Sequence, residues 1–320
     1  MKMVLRTYCL SILGLALLAS LGCIAKRPSM MGPSIAVQDA AFMNPPVSPA
    51  EATTPVGEFL DPVIPSNHRD WIPEQSVMPV AEFQPDNKIT VRNVRYCEYR
   101  TAEDYTVRHY DKVIDLDKVR TVDFIVVPFP EMPDMAHTMI SFGIGDDDYL
   151  GVSVEARREK GETYNPLAGL MGQFELMYVI GDERDLIQLR TNHWRNDVYV
   201  HRLHVRPEQA RAMLVDVLHR TNQLALVPEL YNTLSNNCTT NLIDHMNEAL
   251  PVEIEYDRRI LLSGRADRMI YDLGLIDTSL PFSAARTRAR VNYYAYLYRD
   301  NPHFSRLIRE QNPAVQPVRR

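Results

Sequence analysis

The residues best suited to covalent chemistry are one cysteine and one histidine, far apart in sequence. Cys238 stands in Ser235-Asn236-Asn237-Cys238-Thr239-Thr240-Asn241. Ser235, Asn236 and Asn237 all favour helix N-caps, so a helix should open at or just before the sulfur and run to about Leu250, where Pro251 stops it. The positive end of a helix favours thiolate over thiol, and thiolate is the nucleophilic form. Backbone N–H groups in that turn, around Asn237 and Thr239, are candidates to cap the helix and to hold an oxyanion. A lone cysteine in such a place also serves as a small packing residue, so the sulfur needs a base to be more than that. His137, near the start of a β-hairpin, is the candidate base, because a strand can hold an imidazole rigidly. A hairpin turn centred near Asp146–Asp147 sets residues 155 to 157 roughly opposite His137. Glu155 is then placed to accept a hydrogen bond from the imidazole and fix its tautomer. Pairing of Glu155 with Arg157 or Arg158 is the alternative.

Other chemistry-bearing residues fit less well. Gly143-Ile144-Gly145-Asp146-Asp147-Asp148 lacks the full pattern of a phosphate or calcium loop and reads as a polar hairpin turn. His201 and His204, three apart on a predicted strand, face opposite sides and hold no metal together. His245 follows Cys238 by two helical turns, about 10 Å, beyond direct reach of the sulfur. Tyr231 either offers its hydroxyl near the sulfur or simply packs. No metal and no cofactor are expected.

Positioning these groups requires a sheet and two helices. Val91–Tyr96, Thr121–Pro128, His137–Phe142, Leu150–Glu155, Leu176–Ile180, Asp185–Leu189 and Val198–Val205 read as strands. Pro207–Leu226 has Pro at its start and apolar residues at helical spacing, so it reads as a helix. The pattern is α+β, an antiparallel sheet packed with helices. After Leu280 the chain carries eight arginines and has helical potential around Val291–Tyr298. Those arginines (Arg286, Arg288, Arg290) suit either anionic lipid headgroups or a solvated helix face.

The N-terminal part reads as targeting and tether. In residues 1–22, Lys2 and Arg6 precede an apolar run from Tyr8 to Leu21, the shape of a secretory signal. Ala19-Ser20-Leu21-Gly22-Cys23 resembles a bacterial lipobox, which would make Cys23 the lipidated first residue of a lipoprotein. After Gly22 no segment reaches the ~18 apolar residues of a membrane span. Residues 24–87 hold eleven of the 22 prolines, which suits an extended linker lifting a domain (residues 88–310) off a membrane surface. Trp71-Ile72-Pro73 is a candidate docking point within it, and residues 311–320 form a tail. The 320 residues are 45% hydrophobic and 24% charged, enough for a real core. A net charge of -6 argues against a nucleic-acid partner.

Several strings then match one family in order: Asn93-Val94-Arg95, Tyr99-Arg100-Thr101, Val122-Asp123-Phe124, Ala136-His137-Thr138 with Ser141-Phe142-Gly143, and Val152 to Glu159. Gly161-Glu162, Gln173 to Leu176, Asp182 to Asp185 with Leu189-Arg190-Thr191, and Tyr231-Asn232 with Asn237 to Thr240 continue the series. In these the chain resembles the Lnb N-terminal periplasmic domain family over about residues 89–310. The resemblance implies a permuted papain-like fold in which the histidine precedes the cysteine, with His137 and Cys238 as the pair. It also implies acyl transfer or hydrolysis on a lipid or lipoprotein substrate, on the periplasmic face of a bacterial membrane; the family's namesake has a following transmembrane region, in whose place this chain offers the lipid anchor read at Cys23. Two alternatives stay open: a peptidoglycan peptidase or amidase, and a non-catalytic envelope binding or scaffold domain. Cys97 stands where the family pattern leads one to expect an aromatic residue. It is expected to be a buried filler rather than the disulfide partner of Cys238.

Overall fold

The computed structural model describes residues 63–310. The signal segment, Cys23, the first part of the proline-rich stretch and residues 311–320 lie outside the described residues. Eight strands form one mixed sheet: β1 Val80–Phe83, β2 Lys88–Tyr99, β3 Tyr105–Asp115, β4 Val119–Phe129, β5 Met132–Ile144, β6 Asp148–Arg157, β7 Glu175–Gly181 and β8 Tyr199–Arg202. The order is β1-β2-β7-β6-β5-β4-β8, with β3 along the other edge of β2. The β2–β7 pairing is parallel and the remaining pairings are antiparallel. The helices are α1 Pro166–Leu170, α2 Glu183–Gln188, α3 Pro207–Leu226, α4 Cys238–Ala249, α5 Arg258–Leu261, α6 Ala266–Asp272, α7 Phe282–Ala289, α8 Asn292–Leu297 and α9 Phe304–Glu310. Among the described residues, no helix is long and apolar enough to cross a membrane.

Period-2 alternation sends successive residues to opposite faces, and here both faces are covered. Val122, Phe124 and Val126 belong to one core with Met213, Leu214 and Val217 of α3 and Leu242 and Met246 of α4. Ile125 and Val127, with Met139, Met177 and Val179, belong to a second core with Leu186 and Ile187 of α2, Ala295 of α8, and Phe304 and Ile308 of α9. Near-continuous apolar runs such as Phe124–Val127 follow from that double burial. The last helix is held by buried charge. Arg309 reaches Asp123 and Glu183 at 2.8 Å each and lies over the Tyr149 ring.

Three expectations change. The sheet is mixed rather than antiparallel, because β2 runs parallel to β7 where they meet at Arg95 and Gly181. Asp185–Leu189 is not a strand. Asp182 caps a helix there by accepting the Arg184 N–H at 2.9 Å, and the buried pair Leu186-Ile187 packs on the second core. The tether does not run to 87, because residues from 63 onward are packed onto the domain. Trp71 is buried beneath the Arg157 guanidinium, 4.1 Å from its ring centroid. The Gln75 side chain bonds the backbone at Ala156 O in β6 and at Arg158 N just beyond it. Proline suits this segment at Pro73, the first position of a 3-10 turn over Pro73–Gln75, where its missing N–H costs nothing. The Trp71–Pro73 docking point is therefore real, and β1 follows it. Cys97 is a free, buried thiol, which burial, with Asp185 nearby, pushes up to about 12.

Candidate functional site

The hairpin of β5 and β6 turns at residues 145–147, with Gly145 at φ +66 where a side chain would be strained. The ladder between the two strands ends at Met139↔Ser153. β5 nevertheless continues against β4 to Ala136, and β6 continues against β7 to Arg157. The two strands therefore part, and Ala136, His137, Val154, Glu155 and Ala156 line the fork between them. Continuing the register by two residues sets His137 opposite Glu155, as the turn arithmetic expects.

The first turn of α4 sits against this fork. Asn237 caps the helix, its Oδ1 accepting the N–H groups of Thr239 at 2.8 Å and Thr240 at 3.0 Å. Thr240 Oγ1 in turn accepts the Asn237 N–H, the reciprocal arrangement of a capping box. The Thr239 hydroxyl lies 3.1 Å from that of Thr138 on β5, which pins the turn to the strand beside His137. Because the cap consumes the Thr239 amide, that N–H is not an open oxyanion donor. The Cys238 N–H is not among the amides the cap takes up. Replacing Asn237 with alanine leaves two first-turn donors without their acceptor and should lower stability by about 1 kcal/mol, read as a fall in the denaturation midpoint.

A second set of bonds fixes the same turn from behind. Asn241 Nδ2 donates to Asn236 Oδ1 and to Asn237 O, both at 2.9 Å, and its Oδ1 accepts from Tyr178 OH at 3.0 Å. Tyr178 OH also meets His245 Nε2 at 2.8 Å, and His245 Nδ1 meets Asp216 at 2.6 Å. His245 thus belongs to the frame behind the sulfur, consistent with its separation of two turns from Cys238.

At the centre, His137 and Cys238 line the same cavity, close enough for each to shift the other's protonation. His137 Nε2 lies 2.6 Å from Ser153 Oγ, which donates to Glu155 Oε1 at 2.5 Å. A hydroxyl has one proton. Since Ser153 gives it to the carboxylate, the hydroxyl accepts from His137 Nε2–H. That fixes the tautomer and leaves Nδ1 outside these bonds. Glu155 Oε1 also lies 3.4 Å from Nε2 and accepts from Arg190 Nη2 at 3.0 Å. Its partner is therefore Arg190, whereas Arg157 and Arg158 turn to Gln75 O and Glu74. Arg190 sits on a π-helical turn, Leu189–His193, that follows α2, a local distortion often found at functional sites.

The electrostatics follow from these contacts. Burial pushes the Cys238 thiol up, but the hydrogen bond and charge of His137, with the Thr138 N–H and hydroxyl, outweigh it and hold the thiol at about 7. Burial pushes the His137 imidazole down, but the Glu155 charge and the Cys238 contact raise it to about 9. Burial acts against the Glu155 carboxylate as well, yet His137, Arg190 and Ser153 hold it well below the usual carboxylate range. Such a pair favours thiolate and imidazolium between those two values.

The sulfur opens into a cavity of about 210 Å³ whose walls include Phe129, Met135, Tyr164, Trp194, Ile260 and Leu261. Tyr231 is a wall residue too, its ring edge-on to Tyr164 at 6.1 Å. The start of β5 is anchored by Ser263, whose hydroxyl bonds both the N–H and C=O of Ala136. Beside it, Gly264 passes so close that an added Cβ would lie 2.2 Å from Pro133 O.

The structure therefore brings together Cys238, His137 and Glu155, with Asn237 and Thr239 in the adjoining cap. Ser153 and Arg190 were not anticipated. Ser153 was within reach of the same pattern, being two residues before Glu155 on one strand face. His201 faces Asp267 at 3.7 Å, away from this cavity. The sequence signature of the Lnb N-terminal periplasmic domain matches residues 105–264, half of the chain and the part that carries all five residues of the cluster. No curated protein and no solved structure matches.

Proposed function

Since the chain belongs to the Lnb N-terminal periplasmic domain family, we propose that it is an envelope protein whose Cys238–His137 pair moves or hydrolyses an acyl group on a lipid or lipoprotein. The observation that carries this reading is the relay Glu155–Ser153–His137 ending at a sulfur on the opening turn of a helix. Four roles in nucleophilic catalysis are filled: nucleophile, base, orienting acid and helix dipole. Strand histidine before helix cysteine is the permuted papain-like order, which we adopt as the fold reading. Anchorage through a lipid on Cys23 completes the proposal and places the domain at the periplasmic face of a membrane.

The chemistry runs in two steps. The Cys238 thiolate adds to an ester carbonyl, and the Cys238 N–H at the start of α4 faces the developing oxyanion. The carbon–oxygen bond breaks as the His137 Nδ1 proton passes to the leaving alkoxide, giving a thioester. An amine or water then attacks the thioester, His137 takes its proton, and the thiolate departs.

The walls favour an acyl chain over a peptide, being largely aromatic and aliphatic. The volume lies below the roughly 300–1,000 Å³ of a typical ligand pocket, so the site takes the end of a chain, with the rest of the substrate outside. Incubating the protein with a diacylated lipopeptide, a phospholipid and muropeptides, with and without prior thiol alkylation, separates the readings. Deacylation or acyl transfer from either lipid that alkylation abolishes is the expected result. Cleavage of muropeptides alone would replace it with the peptidase reading.

A further inference from the structure

A second concavity shares a wall with the catalytic cavity, and its chemistry differs. Phe129 lines both, and of the consecutive residues Trp194 and Arg195 the first lines the catalytic cavity and the second lines the groove. The groove, about 1130 Å³, presents three guanidinium groups, Arg195, Arg286 and Arg290, against one acid, Asp197. Arg290 is paired with Asp197 at 2.6 Å. Arg286 lies over the Tyr199 ring at 4.6 Å and points its Nε toward Asp267 at 3.0 Å. That contact is too bent to satisfy the Nε hydrogen bond, and among the described residues the two Nη groups of Arg286 have no acceptor. Arg195 is exposed and makes no ion pair among the described residues, and its backbone is held at φ +58. A left-handed backbone at an arginine is strained and persists where the surroundings impose it. Here it follows the π-helical turn that supplies Arg190 to the catalytic relay.

We propose that this groove binds the phosphate of an acyl lipid whose chain end occupies the neighbouring cavity, so that the substrate is a phosphate-bearing amphiphile. The inference rests on the acyl-transfer reading and narrows its substrate class. An apolar cavity and a cationic groove meeting at Phe129 match the two halves of such a molecule. The fork geometry of guanidinium donors suits phosphate oxygens, which accept two N–H bonds at once. Arg195 and the Arg286 Nη groups supply open donors, and Arg290 is placed to exchange its exposed partner Asp197 for a phosphate.

The test reads binding and needs no thiol. Full-length protein carrying Cys238→Ala is titrated with monomeric dihexanoylphosphatidic acid, with dihexanoylglycerol and with inorganic phosphate, followed by the change in tryptophan fluorescence, Trp194 being at the cavity wall and Trp71 outside it in the 71–75 segment. The phosphatidic acid should bind about tenfold more tightly than the glyceride, the size expected of one charge-assisted contact. It should also bind more tightly than inorganic phosphate. Arg195→Glu, at an exposed position, should remove the preference while leaving glyceride affinity unchanged, and Arg290→Ala should reduce it. Equal affinity for the two lipids, or a preference that survives Arg195→Glu, would overturn the assignment. So would inorganic phosphate binding as tightly as the lipid. Failed turnover in the unsubstituted protein would count against the thiol mechanism alone, because phosphate preference is measured without it.

Discussion

Cys238→Ala should abolish the proposed acyl transfer or hydrolysis, a loss of about 10⁴-fold or more, while leaving the domain folded. The magnitude is that of removing a nucleophile whose covalent step nothing else can perform. The fold survives because the sulfur carries little of the packing. The turn is held by the Asn237 cap, the Thr239–Thr138 contact and the Asn241 bonds, none of which uses the sulfur. Turnover measured on the purified protein, with circular dichroism as the control for folding, checks both halves. Activity within tenfold of the unsubstituted protein would remove Cys238 from the chemistry.

The second large effect concerns the imidazole and its support. With His137→Ala the thiol loses its main opposing charge, and burial then pushes it upward. Alkylation of Cys238 should rise through about pH 7 in the unsubstituted protein and only at markedly higher pH in the variant. Turnover should fall by about 10²–10⁴-fold, the usual worth of a positioned acid–base group. Glu155→Gln removes the carboxylate charge that raises His137, but Ser153 keeps an acceptor. Its loss should be smaller, about 10–100-fold, as for an outer partner that orients an imidazole. The sign of the pH dependence follows from the two groups. Thiolate accumulates as pH rises through about 7, and imidazolium is lost as pH rises through about 9. Activity should therefore be bell-shaped with its maximum between those values, and the two limbs belong to the coupled pair rather than to either residue alone. In His137→Ala the limb near 9 should disappear. A profile unchanged by His137→Ala would separate the imidazole from the reaction.

Local rules made part of this site legible. N-cap chemistry placed Cys238 at the first residue of α4, and hairpin symmetry about the 145–147 turn placed Glu155 across from His137. Pro207 and the apolar spacing after it delimited α3, which runs Pro207–Leu226. What escaped has identifiable causes. Arg190 reaches Glu155 from a π-helical turn, whose spacing matches neither helix nor strand periodicity, and the α2 before it holds Leu186 and Ile187 side by side as a buried strand would. Strand β3, paired only with β2 among the described strands, is mostly half-buried or exposed along its length, so alternation had no apolar face to reveal. The segment before residue 88 was hidden by its prolines, although Trp71 and Gln75 close over β6. Buried charges such as Arg309 with Asp123 and Glu183 join residues far apart in sequence, and no spacing rule connects them.

The most direct test of the central claim is to trap the acyl-enzyme. An activated acyl ester, offered at a pH between 7 and 9 and quenched in acid, should leave one acyl group in thioester linkage on the peptide containing Cys238. Cys97, buried and with its thiol pushed up to about 12, is the internal control and should stay unmodified. The adduct should be absent with Cys238→Ala and strongly reduced with His137→Ala. Acylation of both cysteines alike, or none at Cys238 under conditions where the protein turns substrate over, would contradict the account.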